Sequence, residues 1–229
     1  NQMVISSVGS IDFDKLIAMA GKYFGNEQSH LGAPERLAPP AYLKTDASRK
    51  FSKHQSHIVI GNRAYSYHDK KRYTLALLTN MLGGPAMNST LNLVLREKHG
   101  IAYNLESAYQ PLSDTGIFTI YLGTDTRMVE KAISLVMKEL DKLRQKATSS
   151  SRLNISKEQL KGQIAISVEA HQNEMLSTAK SMILFNKVDS IAEVISRIEA
   201  ITVTDVQEVA NEIFNPSLLS SLIFTNGRK

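Results

Sequence analysis

Two β-rich runs, residues 102–109 and 115–122, are joined only by a short segment containing Pro111, Ser113 and Asp114, and this arrangement constrains the fold most. Runs so close along a chain pair antiparallel, because a parallel crossover needs roughly a dozen residues or more, and the joining composition is that of a hairpin connection. Whatever else the chain contains, its sheet is expected to be largely antiparallel.

Most of the remaining periodicity is helical. Residues 3–8 are a short β-rich run closed by Gly9, and Asp12 is placed to cap a helix whose apolar positions Phe13, Leu16, Ile17, Ala20 and Phe24 recur at 3.6-residue spacing until Gly25. Residues 26–46 hold Gly32, Pro34, Pro39 and Pro40 with little periodicity and read as an irregular connection. A strand over 49–61 ends at Gly61, and Asp69 then caps a helix carrying Tyr73, Leu77, Leu78 and Met81 up to Gly83-Gly84. A second helix from Asn88 to His99 sets Leu91, Val94 and Leu95 on one side, with Gly100 at its end. Beyond Asp125 a helix carries Val129, Ala132, Ile133, Val136, Leu140 and Leu143 as far as a 148–151 linker. A long helix from Lys157 to about Asn186 should bury Leu160, Ile164, Val168, Leu176 and Met182; Asp189 opens another through Ile198, and Thr204 a short one to Phe214. A last strand, 218–224, follows Pro216. The order β-α-β-α-α-β-β-α-α-α-α-β predicts an α+β two-layer sandwich, one mainly antiparallel sheet with helices packed on one face. No internal repeat is visible, and residues 1–229 are expected to form a single domain, with 42% hydrophobic and 21% charged residues.

Composition excludes more than it assigns. The formal charge of +5 comes from Lys and Arg interleaved with acidic residues, as in Lys138, Glu139, Asp141 and Lys142, so no basic face suited to nucleic acid is expected. Without cysteine there can be neither disulfides nor thiolate metal ligands, and the compartment stays open between cytoplasm and periplasm. No apolar run approaches the ~18 residues that would span a bilayer. The first residues, Asn1-Gln2-Met3-Val4, lack the features of a targeting segment and do not open with Met, so the chain is expected to begin inside a longer protein.

Six histidines invite a search for metal ligands. His54 and His57 fall in the predicted 49–61 strand, where side chains alternate, so their rings should point to opposite faces and cannot share an ion. His171 and Glu174 are one helical turn apart, but Met175 stands where a second histidine would complete H-x-x-E-H, and an exposed polar patch is the better reading. No G-x-S-x-G elbow and no G-x-x-x-x-G-K-[ST] loop occurs. Gly83-Gly84 alone indicates a helix terminus needing a positive φ. Arg96 in a last helical turn complements the helix dipole, and Tyr103, alternating with Leu105 along a strand, supplies buried area with a polar tip. Spacing alone favours these structural roles.

The run Arg96-Glu97-Lys98-His99-Gly100-Ile101-Ala102-Tyr103, just after Leu82-Gly83-Gly84, resembles the Arg/Tyr signature of insulinase-type (pitrilysin-family) zinc peptidases, in the manner of the mitochondrial processing peptidase. The likeness extends to Val8-Gly9-Ser10-Ile11-Asp12 and Lys22-Tyr23-Phe24-Gly25, which match the opening of the family's second domain type. One departure is visible: the family usually continues its paired glycines with another Gly and a Ser-Ser-Arg-Leu run, where this chain has Pro85-Ala86-Met87-Asn88-Ser89-Thr90-Leu91. The signature belongs to the half of the family's clamshell that carries no zinc. The resemblance therefore implies a non-catalytic, C-terminal metallohydrolase-like half that binds no metal itself. Zinc and the general base would come from an H-x-x-E-H half, fused or separate, and the substrate would be an unfolded peptide. By motif position it implies that Tyr103 donates to the scissile carbonyl oxygen and Arg96 holds a nearby substrate carbonyl, with no activity from the chain alone. The alternative it leaves is a silent scaffold or peptide-holding domain.

Overall fold

The computed structural model describes residues 3–25, 37, 39–51 and 54–226. In chain order the elements begin with helix α1 (Phe13–Phe24), strands β1 (Asp46–Phe51) and β2 (Ser56–Ala64), helix α2 (Arg72–Gly83) and a π-helix (Asn92–Lys98). The hairpin β3 (Leu105–Pro111) and β4 (Gly116–Thr124) follows, then a short 3₁₀ turn (Thr126–Met128) and α3 (Val129–Gln145). Helices α4 (Ser150–Glu169), α5 (His171–Phe185), α6 (Ile191–Glu199) and α7 (Val203–Ile213) precede the last strand, β5 (Ser220–Asn226). The chain divides into two compact units, one from Asn1–Ala38 and Gly162–Ile191, the other from Pro39–Lys161 and Ala192–Lys229.

The larger unit holds a five-stranded sheet in the order β1-β5-β2-β4-β3. The predicted hairpin is present, with Leu105 opposite Leu122 and Tyr109 opposite Phe118. Every pairing is antiparallel except β1 with β5, whose parallel register joins Asp46 to Ser221. Along β2 burial alternates: Ser56, Ile58, Ile60 and Asn62 are buried, and the residues between them are half-covered. The buried side meets α2 and α7. Phe118 stacks tilted on Phe214 with centroids 5.0 Å apart, Ser107 Oγ donates to the Thr79 carbonyl, and Asn62 Nδ2 donates to the Ile213 carbonyl at 2.8 Å. Leu75, Leu77, Leu78, Leu82, Leu91, Leu95 and Leu122 lose all solvent contact, which contributes about 1.5–3 kcal/mol for each such side chain. A single sheet with helices on one face is thus the architecture of this unit.

Several boundaries differ from the sequence reading, each for a physical reason. The single 49–61 strand is two strands, because β1 pairs β5 while β2 pairs β4 and β5, and β2 runs past Gly61 to Ala64 on an unbroken ladder with β4. His54 consequently lies before β2, not in a strand with His57. Residues 3–8 form no strand, having no ladder partner among the described residues. Most of the irregular connection expected at 26–46 lies outside the described residues. The expected 157–186 helix breaks at Ala170, whose backbone is extended (φ −82°, ψ 103°), giving α4 and α5. None of Leu160, Ile164, Val168, Leu176 and Met182 is buried; the apolar residues of α4 and α5 are spread around the helices and make no single stripe.

In the smaller unit, α1 begins as predicted, with Asp12 Oδ1 accepting from the Lys15 amide at 3.0 Å. No residue of α1 or α5 is buried. Helix α5 ends on Asn186 in the left-handed region (φ 49°), where Asn is tolerated better than most residues.

Candidate functional site

Arg96 sits on the π-helix, not on the α-helix predicted for 88–99. Such wide turns are rare and recur at functional sites. Here Leu91 and Leu95 are both fully buried, and Asn92 Nδ2 donates to Ser89 Oγ at 2.8 Å near the start of the segment. The helix closes through Gly100, at φ +61°, whose amide bonds the Arg96 carbonyl while the Ile101 amide reaches the Leu95 carbonyl at 2.9 Å. A side chain at position 100 would be strained in this left-handed conformation, which explains the glycine between the arginine and the tyrosine.

Tyr103 lies just before β3. Its amide bonds the Gly123 carbonyl at 3.0 Å, and the Gly123 amide bonds the Asn104 carbonyl at 2.9 Å, so two residues face one across the ladder. This bulge breaks the alternation expected between Tyr103 and Leu105. Leu105 packs against the core and Tyr103 is 53% exposed, where spacing alone favoured a buried strand residue. The intervening Ile101 and Ala102 are each 6% exposed, and the Ile101 carbonyl accepts from Thr124 Oγ1. The backbone between Arg96 and Tyr103 is therefore pinned at several points, with both side chains on the surface.

Local electrostatics leave both groups available. The Arg96 guanidinium, its side chain 52% exposed, has Nε 4.0 Å from Glu97 Oε1, a weak contact in water. The Tyr103 hydroxyl donates to Asp125 Oδ2 at 3.4 Å. Asp125 was not singled out by sequence, and only the register that places the end of β4 beside Tyr103 reveals it. The paired glycines also differ from expectation, since neither has a positive φ. A Cβ on Gly83 would stand 2.9 Å from the Ser107 amide nitrogen, so close packing of α2 on β3 is the reason for that glycine.

His171 and Glu174 share a turn at the start of α5, with Nδ1 and Oε2 3.8 Å apart on an exposed surface. Among the described residues no group of three His, Cys, Asp or Glu side chains converges as metal ligands would, so this part of the chain does not itself fit a zinc ion. His57, on the sheet face away from the core, meets Tyr121 through a 2.8 Å contact between Nδ1 and the phenol. Phe51 packs on edge against His57 and Phe224 there. A shallow groove of about 340 Å³ on the sheet is lined by Tyr42, Arg63, Ile117, Thr119 and Ser220. Among the described residues no helix is long and apolar enough to cross a membrane.

The chain is thus an α+β domain with an exposed Arg96 and Tyr103 on a pinned segment and no convergent metal-ligand set among its described residues. The chain belongs to the M16 peptidase family, in its inactive-domain class: the description "Peptidase M16 inactive domain" matches residues 1–160. It is 29% identical over 227 residues to a Bacillus subtilis protein named uncharacterized zinc protease YmxG, covering 99% of this chain and 55% of that one. A protein from Streptomyces coelicolor, also named an uncharacterized zinc protease, is 26% identical over 94% of this chain and 49% of its own length. A crystal structure titled as a peptidase M16 inactive domain from Pseudomonas fluorescens superposes with a TM-score of 0.76 at 20% identity, over 86% of this chain and 47% of that one. The chain thus spans about half the length of the curated relatives it matches.

Proposed function

We propose that this chain is the substrate-gripping half of a zinc metallopeptidase acting on unfolded peptides, with Arg96 and Tyr103 as the groups that touch substrate. The observation that carries the reading is the exposure of both side chains on a backbone segment held by the Leu95, Gly123 and Thr124 hydrogen bonds. A donor held in place before the reaction costs no reorganisation when charge develops. The Tyr103 phenol would donate to the scissile carbonyl oxygen as it becomes an oxyanion, releasing its 3.4 Å contact with Asp125. The Arg96 fork would hold a neighbouring substrate carbonyl through charge-assisted hydrogen bonds. Zinc and the general base would be supplied by an H-x-x-E-H half, where the metal would contribute Lewis-acid chemistry and a more acidic bound water.

The test is to mix the chain with the H-x-x-E-H half of its parent and follow cleavage of an unstructured peptide. Tyr103→Phe should lower kcat by about 10²-fold with KM little changed, the effect of losing one transition-state donor. Arg96→Ala should act chiefly on KM. Wild-type rates in both variants would leave the two residues with structural roles only, and cleavage by the chain alone in the presence of a chelator would remove the need for a second half.

A further inference from the structure

The groove of about 340 Å³ on the sheet contains a guanidinium that the fold holds in place and leaves with donors to spare. Tyr42, Arg63, Thr115, Ile117, Thr119 and Ser220 are among its lining, and every lining residue belongs to the larger unit. Ile117 and Thr119 alternate along β4 with the buried Phe118 and Ile120, which puts the groove on the face away from the helices.

Tyr42 is the anchor. Its hydroxyl donates to the Leu218 carbonyl at 2.8 Å and lies 2.6 Å from Ser220 Oγ, which accepts from the Thr45 amide at 2.9 Å. The Arg63 guanidinium sits over the Tyr42 ring, 5.7 Å from its centroid, and Nη2 donates to the Pro40 carbonyl at 2.5 Å. Ring and carbonyl together restrain the fork. A guanidinium carries five N–H donors, and among the described residues Arg63 has only these two partners, neither of them a carboxylate. Thr115 Oγ1 is buried with no hydrogen-bond partner of its own.

We propose that this groove takes the acidic side chain of a bound peptide, with the carboxylate on the Arg63 fork and the methylenes against Ile117. A carboxylate matches two parallel N–H donors, and a fork already held loses little freedom on receiving it. A shallow groove lets a backbone continue past it in both directions, which favours a side chain over a chain terminus as the source of the carboxylate. This role rests on the peptide-gripping reading above and adds which residue is gripped and where. Along β4, Thr119 and Ile117 stand four and six positions before Gly123, whose carbonyl bonds the Tyr103 amide. That separation is about 14–20 Å, the span of four to six extended peptide residues.

The experiment titrates the chain with a short unstructured peptide, labelled with fluorescein, blocked at both ends and carrying one central Glu, and reads fluorescence anisotropy. The same peptide with Gln at that position should bind about tenfold more weakly, the loss of one charge-assisted pair. Arg63→Gln should remove the preference for Glu, and Arg63→Lys should keep only part of it, since an ammonium cannot fork. Ile117→Glu sets a carboxylate at an exposed lining position; it should compete for Arg63 and weaken the Glu peptide with the arginine still present. Thermal unfolding checks that each variant is folded. Equal affinity of the wild-type chain for the Glu and Gln peptides, or a preference that survives Arg63→Gln, would overturn the proposal. Tighter binding of a Gln peptide with a free C-terminal carboxylate would overturn it as well, by moving the site to chain ends. In the assembled parent, Arg63→Gln should raise KM for the Glu peptide toward that of the Gln peptide. A Glu preference in binding with no cleavage at all would leave the groove standing and sink the proposed function; cleavage without that preference would do the reverse.

Discussion

The two units of this molecule both contain amphipathic helices and differ in how much of their apolar residues is buried. In the larger one the stripes of α2, α3 and α7 are buried against each other and the sheet, with Leu75, Leu78, Val136, Val206 and Phe214 all but removed from water. In the smaller one α1 has an equally clear stripe, and none of its residues is buried. Periodicity thus states that a face wants covering and is silent on what covers it.

Truncation should separate the units most sharply. Leu78→Ala or Phe118→Ala should cost about 2–5 kcal/mol in urea unfolding, through lost transfer energy and the cavity left behind. Phe13→Ala and Ile17→Ala should change the stability of the isolated chain by under ~0.5 kcal/mol, as surface substitutions do. Equal losses in both sets would erase the distinction between the units.

Polar contacts should follow the same division on a smaller scale. Asn62→Ala strands the Ile213 carbonyl in the core and should cost about 1–3 kcal/mol. Helix caps come next. Helix α7 opens with a capping box in which Thr202 Oγ1 accepts from the Asp205 amide while Asp205 accepts from the Thr202 amide at 2.8 Å. Thr202→Ala should lower global stability by about 1 kcal/mol. Removing the matching cap of α1 with Asp12→Ala should fray that helix, seen as lost helical circular dichroism, and leave the global unfolding midpoint where it was.

The smallest effect is in acid. The Thr202 backbone amide, and then its hydroxyl, hold the Asp205 carboxyl below the usual carboxylate range. Because its folded pKa is depressed, the stability it contributes is complete above the ordinary Asp pKa near ~3.9 and is lost as pH falls toward the folded value. Wild-type chain and Asp205→Asn should therefore converge in stability as pH falls through and below the ordinary Asp range. A gap that persists there would assign the effect to packing and not to charge.

Much of the fold was legible because its signals are local. Asp12, Gly100 and the Pro111-to-Asp114 connection act within a few residues, and each does in the structure what its chemistry predicts. The errors fall where distant partners decide. Splitting 49–61 into two strands depends on β5, some 175 residues along the chain, and the exposed position of Tyr103 depends on a bulge opposite Gly123. Gly83 is required by its closeness to Ser107 in β3, which no pattern around Leu82-Gly83-Gly84 announces. For the proposed site, the motif pointed to Arg96 and Tyr103, while the Asp125 contact of Tyr103 emerged only from the register at the end of β4.

By itself the sequence determined the α+β class, the hairpin, most of the helices and the Arg/Tyr segment, since hydrophobic period, caps and short motifs are written within one or two turns of chain. The tertiary structure alone decided the parallel closure of β1 on β5, the π-helix beneath Arg96 and the exposed setting of Tyr103. These depend on which backbone groups meet across the sheet, and such meetings are fixed by the joint packing of residues far apart in the chain.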